Sequence, residues 1–190
     1  MTITCTNTDV RCSRYKIQTQ GVTLVELIVT VSILSILATM AIPSFNMLVT
    51  NNRVASYANR FIGSLMLARS EAAIRGRRVV VCKSSDGANC VTTGNWAQGW
   101  IVFVDTDNDA TVDSGEDILR VQSALASGFT LTGDTNVANY ISYSSDGRGR
   151  LINGNTQNGT ISLCTTGSQR AITLNAVGRA KINATGATCP

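Results

Sequence analysis

Residues 20–42 read QGVTLVELIVTVSILSILATMAI, and this stretch decides the fold. The run from Val22 to Ile42 carries one charged side chain. As a helix it is long enough to cross a hydrocarbon core of roughly 30 Å, so it predicts a single membrane-spanning segment. Arg11, Arg14 and Lys16 precede it. By the positive-inside tendency they place the amino terminus in the cytoplasm and everything after the run outside. An ordinary secretory signal would have a shorter apolar core ending at a small-residue cleavage site, whereas here the run continues into a second helical pattern. The exception within the run is Glu26. A carboxylate in an apolar layer costs several kcal/mol unless it is paired, which makes it a functional residue by expectation.

Past Pro43, which removes one helical hydrogen bond and is expected to kink or locally melt the chain, apolar residues recur at spacings of three and four. They are Val54, Ala58, Phe61, Leu65, Ala68 and Ala72, with Arg53, Arg60, Arg69 and Arg75 off that line. This is an amphipathic helix facing a core, and Gly76 supplies its stop. The organisation expected is a leader over 1–21, a membrane and assembly helix over 22–42, an amphipathic continuation over 43–78, and a β-rich head over 79–190.

Composition narrows the function. The chain has 190 residues, a net charge of +4 and no histidine. Without the commonest general base and metal ligand, and with no nucleophile beside an obvious base, no enzymatic activity is expected. Charge is distributed unevenly, with six acids between Asp105 and Asp117 and the basic residues Arg148, Arg150, Arg170, Arg179 and Lys181 near the carboxyl end. Of the six cysteines, Cys5 and Cys12 precede the apolar run, while Cys82, Cys90, Cys164 and Cys189 follow it. The latter four form an even-numbered set in an oxidising compartment.

The stretch Gln20-Gly21-Val22-Thr23-Leu24-Val25-Glu26 resembles the processing site of type IV prepilins and pseudopilins. The resemblance implies that a prepilin peptidase cuts between Gly21 and Val22 and N-methylates Val22. It also implies that Glu26, five residues into the mature chain, pairs with the terminal amine of a neighbouring subunit in a filament, which supplies the partner its burial requires. Val22 stands where phenylalanine is commonest and keeps the apolar character.

In the head, short β-type runs separated by Gly, Asn, Asp and Ser occupy 79–82, 99–104, 117–122, 139–143, 160–164, 171–176 and 179–182. They predict antiparallel sheet, and the class expected is α+β, a long amino-terminal helix packed on that sheet. The stretches 91–98 and 123–136 carry no assignable pattern. Cys82 and Cys90 flank the turn signal Ser84-Ser85-Asp86-Gly87. That favours Cys82–Cys90 with Cys164–Cys189 among three pairings, although sequence alone does not choose. A structural zinc site would need CxxC spacing, which is absent.

Trp96, Gly99–Asp105, the acidic turn through Gly115-Glu116, and Ile118-Leu119-Arg120 resemble the head of the GspH/FimT branch of this superfamily. The resemblance implies either a minor pilin of the FimT/FimU kind in a type IV pilus or a minor pseudopilin of type II secretion. Two further sites are expected. Asp105, Asp107, Asp109, Thr111, Asp113 and Glu116 fall in the register of a twelve-residue calcium loop, with Ala110 where glycine permits the sharp turn; a solvated Asp/Asn-rich turn is the alternative. Arg148 and Arg150 lie in one glycine-rich turn, and Gly178-Arg179-Ala180-Lys181 in another. The second resembles the Gly-Arg-x-Arg motif of FimT proteins that bind DNA in natural transformation. Lys181 replaces the last arginine, keeping charge but not the planar fork. Such side chains would contact the phosphates of duplex DNA without reading sequence.

Overall fold

The structure is a computed structural model that describes residues 21–184 and Cys189. Apart from Gly21, the expected leader lies outside the described residues. The chain divides into two compact units, up to Phe45 and from Asn46 onward.

Helix α1 runs Leu24–Arg75 and is unbroken at Pro43, so no turn melts there. It begins with an N-terminal cap: the Thr23 hydroxyl accepts from the Glu26 backbone N–H at 3.3 Å, replacing one of the helical partners the first turn lacks. Glu26 itself sits in that first turn, where its charge suits the positive end of the helix. In the first unit the apolar side chains from Leu24 to Leu37 are exposed, Leu24 at 76% and Leu37 at 59%. Among the described residues no helix is long and apolar enough to cross a membrane. The span expected over 22–42 runs into 40–44, whose side chains lie outside the described residues.

In the second unit, Val54, Ala58, Phe61, Leu65, Ala68 and Ala72 are all at most 1% exposed, which bears out the helical spacing. Eight strands follow: β1 Arg78–Lys83, β2 Gly99–Asp105, β3 Ile118–Ser123, β4 Thr130–Gly133, β5 Tyr140–Tyr143, β6 Gly159–Thr165, β7 Ser168–Leu174 and β8 Ala180–Asn183. They form two antiparallel four-stranded sheets, ordered β3-β2-β1-β5 and β4-β6-β7-β8. The seven expected runs are all strands. β4 is an addition from the unassigned stretch, and a 3-10 turn at Trp96–Gln98 occupies part of the other.

One apolar cluster joins the helix to both sheets through Val79, Val81, Val102, Leu131, Ile161, Leu163 and Ile172. Because strand side chains alternate, Val80, Cys82, Ile101 and Phe103 face the other way, and a second cluster forms there with Ala110, Val112 and Cys90. Both faces of β1 and β2 are therefore covered, which is why these strands read as continuous apolar runs.

The outer margin of β5 is closed by a side chain. Gln157 is fully buried; its Oε1 accepts from the Ser142 backbone N–H at 2.9 Å, and its Nε2 donates to the carbonyls of Asn136 and Tyr140 at 2.8 and 2.9 Å. The Arg150 N–H donates to the Ser142 carbonyl at 3.0 Å.

Candidate functional site

Both disulfides form as favoured. Cys82–Cys90 closes the loop after β1, with Cα atoms 5.6 Å apart, and Cys164–Cys189 ties the carboxyl end to β6 at 5.8 Å. Lys83, beside the first bridge, was not singled out by sequence. It is 2% exposed, its Nζ donates to the carbonyls of Thr92 and Gly94 at 2.8 and 3.0 Å, and burial lowers its pKa.

The acidic turn between β2 and β3 is organised by its own carboxylates. Asp105 is 1% exposed and accepts from the backbone N–H groups of Asn108, Asp109 and Ala110. Burial pushes its pKa up, opposed by those N–H groups. Glu116 Oε1 accepts from the N–H and hydroxyl of Thr106 at 2.6 and 2.9 Å, and its Oε2 from the Asp113 N–H at 3.1 Å. Asp109 accepts from Thr111, which holds its pKa down. Oxygens of Asp105, Asp107 and Asp109 lie within 4.8 Å of one another, while Asp113 and Glu116 are outside that group. The six-position calcium register is thus only partly brought together. Ala110 adopts φ 61°, costing roughly 1–2 kcal/mol for a residue with a Cβ. Its methyl packs under the turn in the second cluster.

The two basic turns, far apart in sequence, meet. A Cβ on Gly178 would stand 2.7 Å from the Gly147 carbonyl oxygen and 2.9 Å from the Gly149 nitrogen, so the contact depends on glycine, which also has φ +79° there. Arg69 from α1 donates to the Gly147 carbonyl at 2.9 Å. Arg148 and Arg150 both reach Asp146, at 3.8 and 3.3 Å. The Ser144 hydroxyl, the Arg148 N–H and Arg150 together hold the Asp146 carboxyl at about 2. Two of the four expected DNA-contacting charges are therefore partly offset. Arg179 and Lys181 line a shallow pocket beside Thr173 and Asn175 and, among the described residues, have no carboxylate partner.

Sequence reasoning also missed Arg78, which links the acidic turn to the basic one. Its Nε donates to Asn108 Oδ1 at 3.0 Å, and its Nη1 to Ser142 Oγ and the Arg150 carbonyl at 2.7 and 3.0 Å. No local pattern could have marked it, since its partners lie 30 to 72 residues away.

A long amino-terminal helix packed on antiparallel sheet is the α+β arrangement of the pilin fold. Residues 57–178 match the family described as type II transport protein GspH, and residues 18–42 match the prokaryotic N-terminal methylation motif. The chain belongs to the GspH family, which comprises structural minor pilins and pseudopilins. Among solved structures it is similar to the type IV minor pilin FimU of Pseudomonas aeruginosa, with a TM-score of 0.53, 19% identity, and coverage of 70% of this chain and 89% of that one. It is also similar to the minor pseudopilin EpsH from the type II secretion system of Vibrio cholerae, with a TM-score of 0.50, 14% identity, and coverage of 72% and 99%. At these identities the likenesses show the fold alone. No curated protein matches the chain.

Proposed function

We propose that the chain is a minor pilin of the FimT/FimU kind, cut after Gly21 by a prepilin peptidase, methylated at Val22, held in the inner membrane by 22–42 with its head in the periplasm, and assembled with other pilins into a type IV pilus. The carrying observation is the start of α1. Gly21 and Val22 precede the Thr23 cap directly, so the cut would leave a new amine at the helix end whose first turn holds Glu26. The exposed apolar side chains that follow suit lipid or the helices of neighbouring subunits. The first prediction concerns this end: mass spectrometry of the protein purified from a strain with its peptidase is expected to show methylated Val22 as the first residue. An intact amino terminus, or a cut elsewhere, would sink the assignment. The alternative is a pseudopilin of type II secretion, favoured by the family's own description. Neighbouring pilin genes or neighbouring secretion genes separate the two.

The adjacent turns support a role in holding duplex DNA without sequence selectivity, as in DNA uptake, with Arg179 and Lys181 leading and Arg148 and Arg150 attenuated by Asp146. Asp146→Asn removes a negative charge a few ångströms from two arginines and is expected to tighten binding in a low-salt gel shift by roughly two- to fivefold. Arg179→Ala with Lys181→Ala is expected to weaken it. Unchanged mobility in both would remove DNA from the reading.

For the acidic turn, calcium on Asp105, Asp107 and Asp109 is proposed as an addition to the hydrogen-bonded turn. The expected result is a melting temperature that rises with calcium and falls back with chelator. Identical curves would leave the turn to its own hydrogen bonds.

A further inference from the structure

Between the amino-terminal part of the head helix and β3 lies a groove left open by the rest of the described chain. It is lined by small and polar residues, among them Ser56, Asn59 and Gly63, together with Arg60, Arg120 and Gln122. The Arg120 guanidinium lies over Gly63, with Nη1 3.7 Å from where a Cβ would stand, so glycine there leaves room for the charge to lie along the groove. Arg60 sits with its guanidinium carbon 5.6 Å from the Tyr57 ring centroid. Among the described residues neither arginine has a carboxylate within ion-pair distance. β3 is also the edge strand of its sheet, and Val121 is 53% exposed.

The matching charges are elsewhere on the same head. Asp107, Asp109 and Asp113 of the β2–β3 turn have no cationic partner among the described residues. The turn cannot reach its own groove. Arg120 pairs in register with Val102, whose side chain belongs to the helix-side cluster, whereas Ala110 and Val112 of the turn pack on the opposite face of that sheet. Along α1, Asp117 at the base of the turn is held by Arg75, twelve residues past Gly63 and so about 18 Å further along the axis.

We infer that the groove between α1 and β3 receives the acidic β2–β3 turn of a second copy, Arg60 and Arg120 pairing with aspartates that have no cationic partner among the described residues. The two surfaces differ, so the contact is heterologous. The inference rests on the reading of the chain as a filament subunit and names the contact that orders one head against the next.

The test uses the full chain, processed and kept in membrane or detergent, in a buffer containing chelator. A photo-crosslinking residue replaces Gln122, and unlabelled and nitrogen-15-labelled copies are mixed. The expected product joins position 122 of one copy to a peptide from 106–116 of the other, recognised by its mixed isotope masses. Arg60→Glu with Arg120→Glu is expected to cut the yield about tenfold, since like charges at an interface repel strongly. Copies bearing Asp107→Lys and Asp109→Lys, mixed with the glutamate variants, are expected to restore it. Unchanged melting of each variant confirms an intact head. Crosslinks confined to a single copy, crosslinks to another segment or another protein, or a yield indifferent to charge reversal would overturn the contact. The same spectra report the amino terminus. Cut chains without the crosslink defeat the groove alone, while uncut chains that still crosslink uphold the groove and defeat the processing assignment.

Discussion

Phe61→Ala is expected to lower the stability of the head by about 3–5 kcal/mol, the range for truncating a buried aromatic residue. Phe61 is fully buried at the junction of α1 with the 3-10 turn and β2. It meets Trp96 and Trp100 edge-on, with ring centroids 5.2 and 5.1 Å away and interplanar angles of 84° and 74°. The cavity cannot be filled by either indole, because both are anchored. Trp96 Nε1 donates to the Val137 carbonyl and Trp100 Nε1 to the Ser64 hydroxyl, each at 3.0 Å. Collapse would leave buried donors without acceptors, a further cost of about 1–3 kcal/mol, so the void stays. Urea unfolding followed by tryptophan fluorescence reads the loss directly. Met66→Ala on the same helix, where the side chain is 66% exposed, is the control and should stay within about 0.5 kcal/mol. A loss below about 1 kcal/mol for Phe61→Ala would mean the aromatic junction is not the centre of the core.

Replacing both Cys164 and Cys189 with alanine is the second large change. The bridge closes a separation of 25 residues, and the loop-entropy relation puts its contribution near 3.5 kcal/mol, against about 2.5 kcal/mol for the separation of 8 at Cys82–Cys90. More follows than a number. β7 and β8, with Arg179 and Lys181, lie within the segment that the bridge closes, and β8 is the four-residue margin of its sheet. Its loss should fray that margin first, lowering protection of the 180–183 amides in hydrogen exchange before the helix-side core opens. Melting and exchange unchanged from the oxidised protein would show that β8 holds without the bridge.

The parts that were readable from sequence are those governed by local periodicity. The spacing from Val54 to Ala72 specified the buried helix face because 3.6-residue repetition is a property of the element itself. β4 escaped because it has four residues, one of them buried, and follows the Gly128 turn. The division into two sheets was equally hidden, since β1 pairs with β5 across more than fifty residues of chain. In the acidic turn the ligand-like spacing was visible, but the inward packing of Ala110 and the engagement of Asp105 and Glu116 by N–H groups depend on the sheet beneath. Each basic turn was legible alone. Their contact at Gly147 and Gly178, and the hold of Asp146 on both arginines, belong to tertiary structure.

Gln157 has a consequence for how such a subunit waits. A bare strand margin recruits strands from other copies of the same chain. Beside β5 one carboxamide and the turn behind it take the places that another strand's peptide groups would occupy. The first sheet is thereby sealed against sideways growth on that flank and open on the other, at β3. Sideways pairing is blocked at β5 and left to the β3 flank, where Arg120 lies along the groove.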